Sequence, residues 1–128
     1  MSLNFVTKTV HAYLDYPVAL SLMATPFILS LGNSSPFALW LSVVTGIAAF
    51  LLTLLTDHHL GVLRIIPYKI HLLVDAMVGL TFLAAPSLLG FSGIDAWYYW
   101  LNGAAVMIVI SLHKGQDVSS NATSFANR

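Results

Sequence analysis

Four long apolar stretches limit what this chain can fold into. They lie near residues 9–31, 36–56, 68–90 and 95–113. An α-helix needs about 20 predominantly apolar residues to cross a hydrocarbon core of about 30 Å. Backbone polar groups in a bilayer must find partners within the protein, and helices provide them. We therefore predict an all-α fold, a bundle of four transmembrane helices that forms a single domain over residues 1–113.

Composition places the chain in the membrane class. Hydrophobic residues make up 58% of it and charged residues only 8%, whereas soluble domains average about 25% charged residues. The formal net charge is zero, so nucleic-acid binding has no electrostatic basis. The first partner that we expect is the lipid bilayer. Residues 114–128 are polar, rich in Ser and Asn, and predicted to form a disordered cytoplasmic tail.

The basic residues predict the topology. They fall at the N-terminus, between the second and third stretches, and in the tail: Lys8, Arg64, Lys69, Lys114 and Arg128. With four spans these regions share one face, which the positive-inside rule assigns to the cytoplasm. We expect a multi-pass protein of a bacterial inner membrane with both termini cytoplasmic. Aromatic residues near the opposite boundary predict an interfacial belt: Trp40, Trp97, Tyr98, Tyr99 and Trp100.

The chain is an internal repeat, with units near 9–56 and 68–113. A shift of sixty positions pairs His11 with His71, Asp15 with Asp75, Ala19 with Gly79 and Pro26 with Pro86. After the first turn a shift of fifty-seven pairs Trp40 with Trp97 and Gly46 with Gly103. Each unit is predicted to be a helical hairpin. Two spans return the chain to its starting side, so the hairpins are parallel about an axis along the membrane normal.

Several motifs resemble a known family. LTDHHLG (55–61), IPYKIHLLVDAMVGL (66–80) and LAAPSLLGF (83–91) precede a Trp-bearing last helix with Gly103 in mid-span. In this order and spacing they resemble the small bacterial SPW-repeat membrane proteins. The resemblance implies a four-helix integral membrane protein with no assigned reaction. The Ser-Pro-Trp motif itself reads Thr25-Pro26-Phe27 in the first unit and Ala85-Pro86-Ser87 in the second, so only the proline persists.

The repeated His–Asp pairs form the candidate intramembrane polar site: His11, Asp15, His71 and Asp75. Residues i and i+4 share a helix face, and an aspartate in a membrane faces the bundle and finds a partner. One interpretation is structural, with the acids fixing hairpin–hairpin packing through hydrogen bonds. Another is a proton or cation path at the cytoplasmic entrance, with histidine as the titrating group. A third is a b-type haem with two axial histidines.

No other residues form a catalytic or cofactor motif. His58 and His59 point about 100° apart on a helix and, with Asp57, suit a solvated helix end better than a metal site. The same holds for His113. The chain has no Cys and no Glu, and no hydrolase or phosphate-loop pattern. We predict a protein that is not an enzyme, with no metal and no cofactor.

Prolines and glycines are predicted to shape and pack the helices. Pro26 and Pro86 are expected to kink the first and third helices, with neighbouring helices binding the freed carbonyls. Gly46, Gly79 and Gly103 are expected to be close-packing points. The leading hypothesis is helix association, as a homo-oligomer or as an accessory subunit with a membrane-protein partner. The alternative is a small proton-coupled transporter or channel.

Overall fold

The computed structural model describes residues 7–56 and 61–112. It contains four helices: α1 (Lys8–Ile28), α2 (Pro36–Leu55), α3 (Tyr68–Leu89) and α4 (Gly93–Ser111). This confirms the predicted all-α class. Residues 57–60 and 113–128 lie outside the described part, and with them the predictions made for Asp57, His58, His59, His113 and the tail.

Local chemistry sets where the helices begin and end. Thr7 caps α1 by accepting a hydrogen bond from the backbone N–H of Val10, and Ser35 caps α2 by accepting one from Phe37. Pro36 occupies the first position of α2, where its missing N–H costs nothing. Gly90 ends α3 at φ +73°, a left-handed conformation that glycine adopts without steric penalty.

Each repeat unit forms a closely packed hairpin, α1 with α2 and α3 with α4. Gly46 and Gly103 are the points of closest approach. A β-carbon at Gly46 would lie 2.8 Å from the carbonyl oxygen of Ala19, and one at Gly103 would lie 2.9 Å from that of Gly79. These two contacts are equivalent under the repeat, so both hairpins use the same helix–helix packing.

The hairpins are parallel and meet at both ends of the molecule. We call the end with the two short turns, residues 29–35 and 90–92, the turn end, and the opposite end the open end. At the open end the starts of α1 and α3 touch through His11 and Asp75. At the turn end the starts of α2 and α4 touch through Ser42 and Tyr98.

The apolar core lies at the turn end. It contains Leu22, Leu31, Ala38, Phe82, Ala85, Phe91, Ala96, Tyr98 and Tyr99. Only part of the predicted aromatic belt is therefore at the surface. The three tryptophans are exposed, but Tyr98 and Tyr99 are buried, because their ring faces pack inward while their hydroxyls reach acceptors on α2.

The described part of the linker folds back on α2. The N–H groups of Val62 and Ile66 donate to the carbonyls of Leu54 and Leu55, at 2.7 and 2.8 Å. The last turn of a helix leaves its carbonyls without intrahelical donors. The linker supplies those donors.

Two of the four described helices, α2 and α3, are long and apolar enough to cross a membrane by length and composition. In α1, polar residues such as His11 and Asp15 reduce the apolar character, and Asp95 and Asn102 do so in α4.

Candidate functional site

Two histidines and two aspartates converge at the open end. His11 Nε2 lies 3.0 Å from Asp15 Oδ1 and 2.9 Å from Asp75 Oδ2. His71 Nε2 lies 3.0 Å from Asp15 Oδ2 and 3.2 Å from Asp75 Oδ2. Each histidine thus contacts the acid one turn along its own helix and the acid of the other hairpin. We call these four residues the His–Asp cluster.

The cluster is largely shielded from its surroundings. His11 and His71 are buried, and the aspartate side chains keep 15% and 19% of their surface. The two imidazoles stand edge to face, with centroids 5.7 Å apart, and the buried ring of Tyr68 contacts both. The acids therefore form the side of the cluster that remains accessible.

Thr56 extends the cluster behind His71. Its hydroxyl lies 2.6 Å from His71 Nδ1 and donates to the carbonyl of Leu52 at 2.5 Å. The sequence gives no sign of this role for Thr56, which is the first residue after α2 and which the shift of fifty-seven pairs with His113 rather than with another hydroxyl. Its signal is only a hydroxyl at a helix end, and such residues are too common to stand out.

The hydrogen-bonding capacity of these groups limits the charge of the cluster. A hydroxyl has one hydrogen, so Thr56 accepts from His71 Nδ1–H if it donates to Leu52. An ionised carboxylate only accepts. The Nε2 atoms are therefore attracted to the acids when each carries a proton, or when a cation lies between the four residues.

A cavity of about 540 Å³ adjoins the cluster and separates the two hairpins. Residues of all four helices line it, from the cluster at one end to Leu22 at the other. Its walls are mainly Val, Leu and Ala. Thr45, Thr53 and Asn102 also line it, and the last two bond to carbonyls of their own helices. Away from the His–Asp cluster the cavity is therefore mainly apolar.

Asp95 links the hairpins at the turn end. Its carboxylate accepts hydrogen bonds from the backbone N–H groups of Gly32 and Ser34, both at 3.0 Å, and from the Ser34 hydroxyl at 2.5 Å. Ser92, the residue before α4, makes no side-chain cap bond, and Asp95 in the first turn of that helix binds the turn of the other hairpin instead.

A model of the SPW repeat domain family matches residues 9–113. The chain belongs to this family. No curated protein and no solved structure matches it.

In this SPW repeat protein the prolines of the two degenerate motifs lie in the last turns of α1 and α3. Both are buried. The carbonyl of Pro26 accepts from Leu31 N–H at 2.9 Å, and that of Pro86 accepts from Phe91 N–H at 3.0 Å. A proline also frees the carbonyl four residues before it. These prolines therefore help to form the turns rather than interrupt a helix in mid-span.

Ser42 binds one of the freed carbonyls. Its hydroxyl donates to Leu22, four residues before Pro26, at 2.8 Å, and lies 2.7 Å from the Tyr98 hydroxyl. A neighbouring helix thus supplies the donor that the sequence predicted. Ser42 was missed because nothing in the sequence distinguishes it from other serines in apolar helices.

The haem interpretation does not fit this geometry. Axial ligation needs each Nε2 lone pair to face the iron. In the cluster, carboxylate oxygens lie within 3.2 Å of both Nε2 atoms, on the side where iron and porphyrin would be.

Proposed function

We propose that this SPW repeat protein is a non-enzymatic integral membrane protein that acts through helix association, as a homo-oligomer or as an accessory subunit of a larger membrane complex. The observation that carries the proposal is an exposed apolar stripe on α2. It consists of Phe37, Trp40, Val44, Ile47 and Leu51.

The spacing of this α2 stripe favours a partner helix. Its intervals alternate between three and four residues, the heptad pattern that lets helices pack along a seam. The repeat gives α4 a corresponding exposed stripe that contains Trp97, Leu101 and Ile108. Because lipid tails are as apolar as leucine, such contacts are stabilised by close packing rather than by hydrophobic exclusion.

Within this proposal all four helices span a bacterial inner membrane, with both termini in the cytoplasm. The distribution of Arg64, Lys69 and the other basic residues supports this orientation. Exposed Trp40 and Trp97 near the turn end suit the opposite interface. The His–Asp cluster would then lie near the cytoplasmic side and hold the hairpins together, while the outer stripes remain available for association.

Cysteine cross-linking tests the proposal, since the chain has no native Cys. We expect Ile47→Cys, an exposed stripe position that does not line the cavity, to form disulfide-linked dimers in native membranes, or adducts with a second protein if the chain is an accessory subunit. Thr45→Cys is the matched control, because Thr45 lines the cavity and is not part of the outer stripe. Absence of cross-links at positions 40, 44, 47 and 51, with a monomeric native mass, would overturn the proposal.

A second candidate is a small proton-coupled transporter or channel. It is favoured by one observation, the cavity that ends at the His–Asp cluster. An apolar chamber with a few polar groups at one end is typical of small-molecule sites. Proton flux in proteoliposomes should then be lost in the double variant Asp15→Asn/Asp75→Asn. Flux equal to that of the unsubstituted protein would exclude this candidate.

A further inference from the structure

We propose that the His–Asp cluster is a binding site for a divalent transition-metal ion, with Zn²⁺ as the best fit. The ligands would be Nε2 of His11 and His71 and one carboxylate oxygen each of Asp15 and Asp75. This inference goes beyond helix association, because it concerns the interior of one chain and not its outer faces.

The spacing of the ligand atoms suits a small tetrahedral ion. One ligand atom from each of the four residues can be chosen so that all lie within 4.8 Å of one another. The four contacts between nitrogen and oxygen measure 2.9–3.2 Å and involve both oxygens of Asp15 and one oxygen of Asp75. Zinc bonds of about 2.0–2.2 Å place neighbouring ligand atoms of a tetrahedron about 3.3–3.6 Å apart. Small side-chain movements would therefore admit the ion.

The chemistry of the ligands favours zinc among the common divalent ions. Imidazole nitrogen suits zinc and neighbouring transition metals, whereas calcium and magnesium prefer sites built from oxygen alone. Two carboxylates also balance the charge of one divalent ion. A metal site is then electrically neutral, which reduces the cost of holding charge inside a membrane protein.

Thr56 provides independent support. Metal-binding histidines usually donate their second ring N–H to a nearby acceptor, which fixes the tautomer and the ring orientation. Thr56 Oγ1 lies 2.6 Å from His71 Nδ1 and its own hydrogen is directed to the Leu52 carbonyl. A proton on Nδ1 leaves the Nε2 lone pair of His71 directed at the centre of the cluster, where a cation would lie.

Metal binding can be measured on the full chain, purified in detergent with an affinity tag that contains no histidine. Chelator-treated protein is loaded with Zn²⁺ or Co²⁺ and desalted, and bound metal is counted by mass spectrometry. We expect one ion per chain and, for Co²⁺, the intense visible absorption of tetrahedral coordination. X-ray absorption of the zinc form should show two imidazole nitrogens and two oxygens.

Variants distinguish metal bound at the His–Asp cluster from metal bound by the other histidines. The triple variant His58→Ala/His59→Ala/His113→Ala should retain the ion, whereas Asp75→Asn should weaken binding at least tenfold. Thr56→Val should weaken binding about 10–100-fold without changing the number of sites, as removal of a supporting group around a metal usually does. Thr81→Ala, on the outer face of α3, is the matched control and should bind as the unsubstituted protein does.

Three results would overturn the inference: no stoichiometric metal, metal lost in the triple variant, or metal retained with full affinity in Asp75→Asn. If Asp75→Asn does not fold, the X-ray absorption spectrum of the unsubstituted protein decides, and fewer than two imidazoles in the coordination shell would contradict the site. Cross-linking of the α2 stripe is a separate readout, so failure of this inference leaves the proposed association testable.

Discussion

The two ends of the molecule join the same hairpins by different chemistry. At the turn end, one buried acid, Asp95, accepts from three donors of the opposite turn, beside a closely packed apolar core. At the open end, two acids and two histidines contact one another beside a cavity of about 540 Å³. At the turn end, the carboxylate of Asp95 thus has its hydrogen-bond donors within the protein. At the open end, the contacts between histidine nitrogens and carboxylate oxygens are attractive only when protons or a metal ion are present.

This difference suggests a division of roles. The turn end fixes how the hairpins are oriented, because Asp95 binds the opposite turn directly beside the packed apolar core. The open end can respond to its surroundings, because its contacts depend on what occupies the cluster. Four substitutions test this contrast, from the largest expected loss of stability to the smallest.

The largest loss is expected for Asp95→Ala. It leaves the part-buried N–H groups of Gly32 and Ser34 without their acceptor, and hydrogen bonds to a charged group contribute about 1.5–3 kcal/mol each. We expect a loss of about 3 kcal/mol in the free energy of unfolding, measured by denaturation in detergent micelles. Ser92→Ala is the control, since Ser92 makes no side-chain cap bond. Equal stability of the two variants would refute the role of Asp95.

Gly103→Ala comes next. The added methyl group would lie 2.9 Å from the Gly79 carbonyl oxygen and 3.0 Å from the Leu83 nitrogen, so the helices must separate. Overpacking of this kind costs about 1–3 kcal/mol. Gly79→Ala should cost less, because its methyl group meets the flexible side chain of Met107. Thermal unfolding of both variants gives the comparison, and a reversed order would contradict this packing.

Asp75→Asn should have a smaller effect than Asp95→Ala. The amide keeps the shape of the carboxyl group, and the Asp75 side chain is 19% exposed, so we expect a loss of about 1–2 kcal/mol. Stabilisation by a fixed concentration of added Zn²⁺ should be smaller in this variant than in the unsubstituted protein, because the variant binds the ion more weakly. Denaturation with and without Zn²⁺ measures both effects. A larger loss than that of Asp95→Ala would reverse the proposed contrast between the ends.

The smallest of the four effects is expected for Tyr99→Phe. The ring stays in the core, but the hydroxyl that donates to the Ala38 carbonyl at 2.7 Å is lost. One such hydrogen bond contributes about 1 kcal/mol. Thermal unfolding should show a small decrease with no change in helix content by circular dichroism. A fully neutral result would mean that the Ala38 carbonyl finds another donor.

The sequence predicted the hairpins and the convergence of the His–Asp pairs for one physical reason. Equivalent residues of a parallel repeat lie at the same depth and can meet at the axis between the units, so His11 and His71 were expected near each other. The same reasoning placed Gly46 and Gly103 at equivalent depths, with each expected at a close-packing point.

Other features could not be predicted because they depend on pairs that the repeat does not relate. Asp95 accepts hydrogen bonds from the turn at residues 29–35. The sequence predicts that this segment connects two helices, but not which side chain it binds. Thr56 meets His71 because the chain folds back after α2. The burial of Tyr98 between exposed Trp97 and Trp100 depends on the rotation of α4, which composition alone does not give.

A double-mutant cycle between His11 and Asp75 tests most directly whether the His–Asp cluster joins the two hairpins. Unfolding free energies are measured for His11→Gln, for Asp75→Asn, for both together and for the unsubstituted protein. Residues in direct contact usually show coupling energies of about 0.5–3 kcal/mol. We predict a stabilising coupling of about 1 kcal/mol or more, in line with the contact at 2.9 Å. Additive losses, with no coupling, would contradict it.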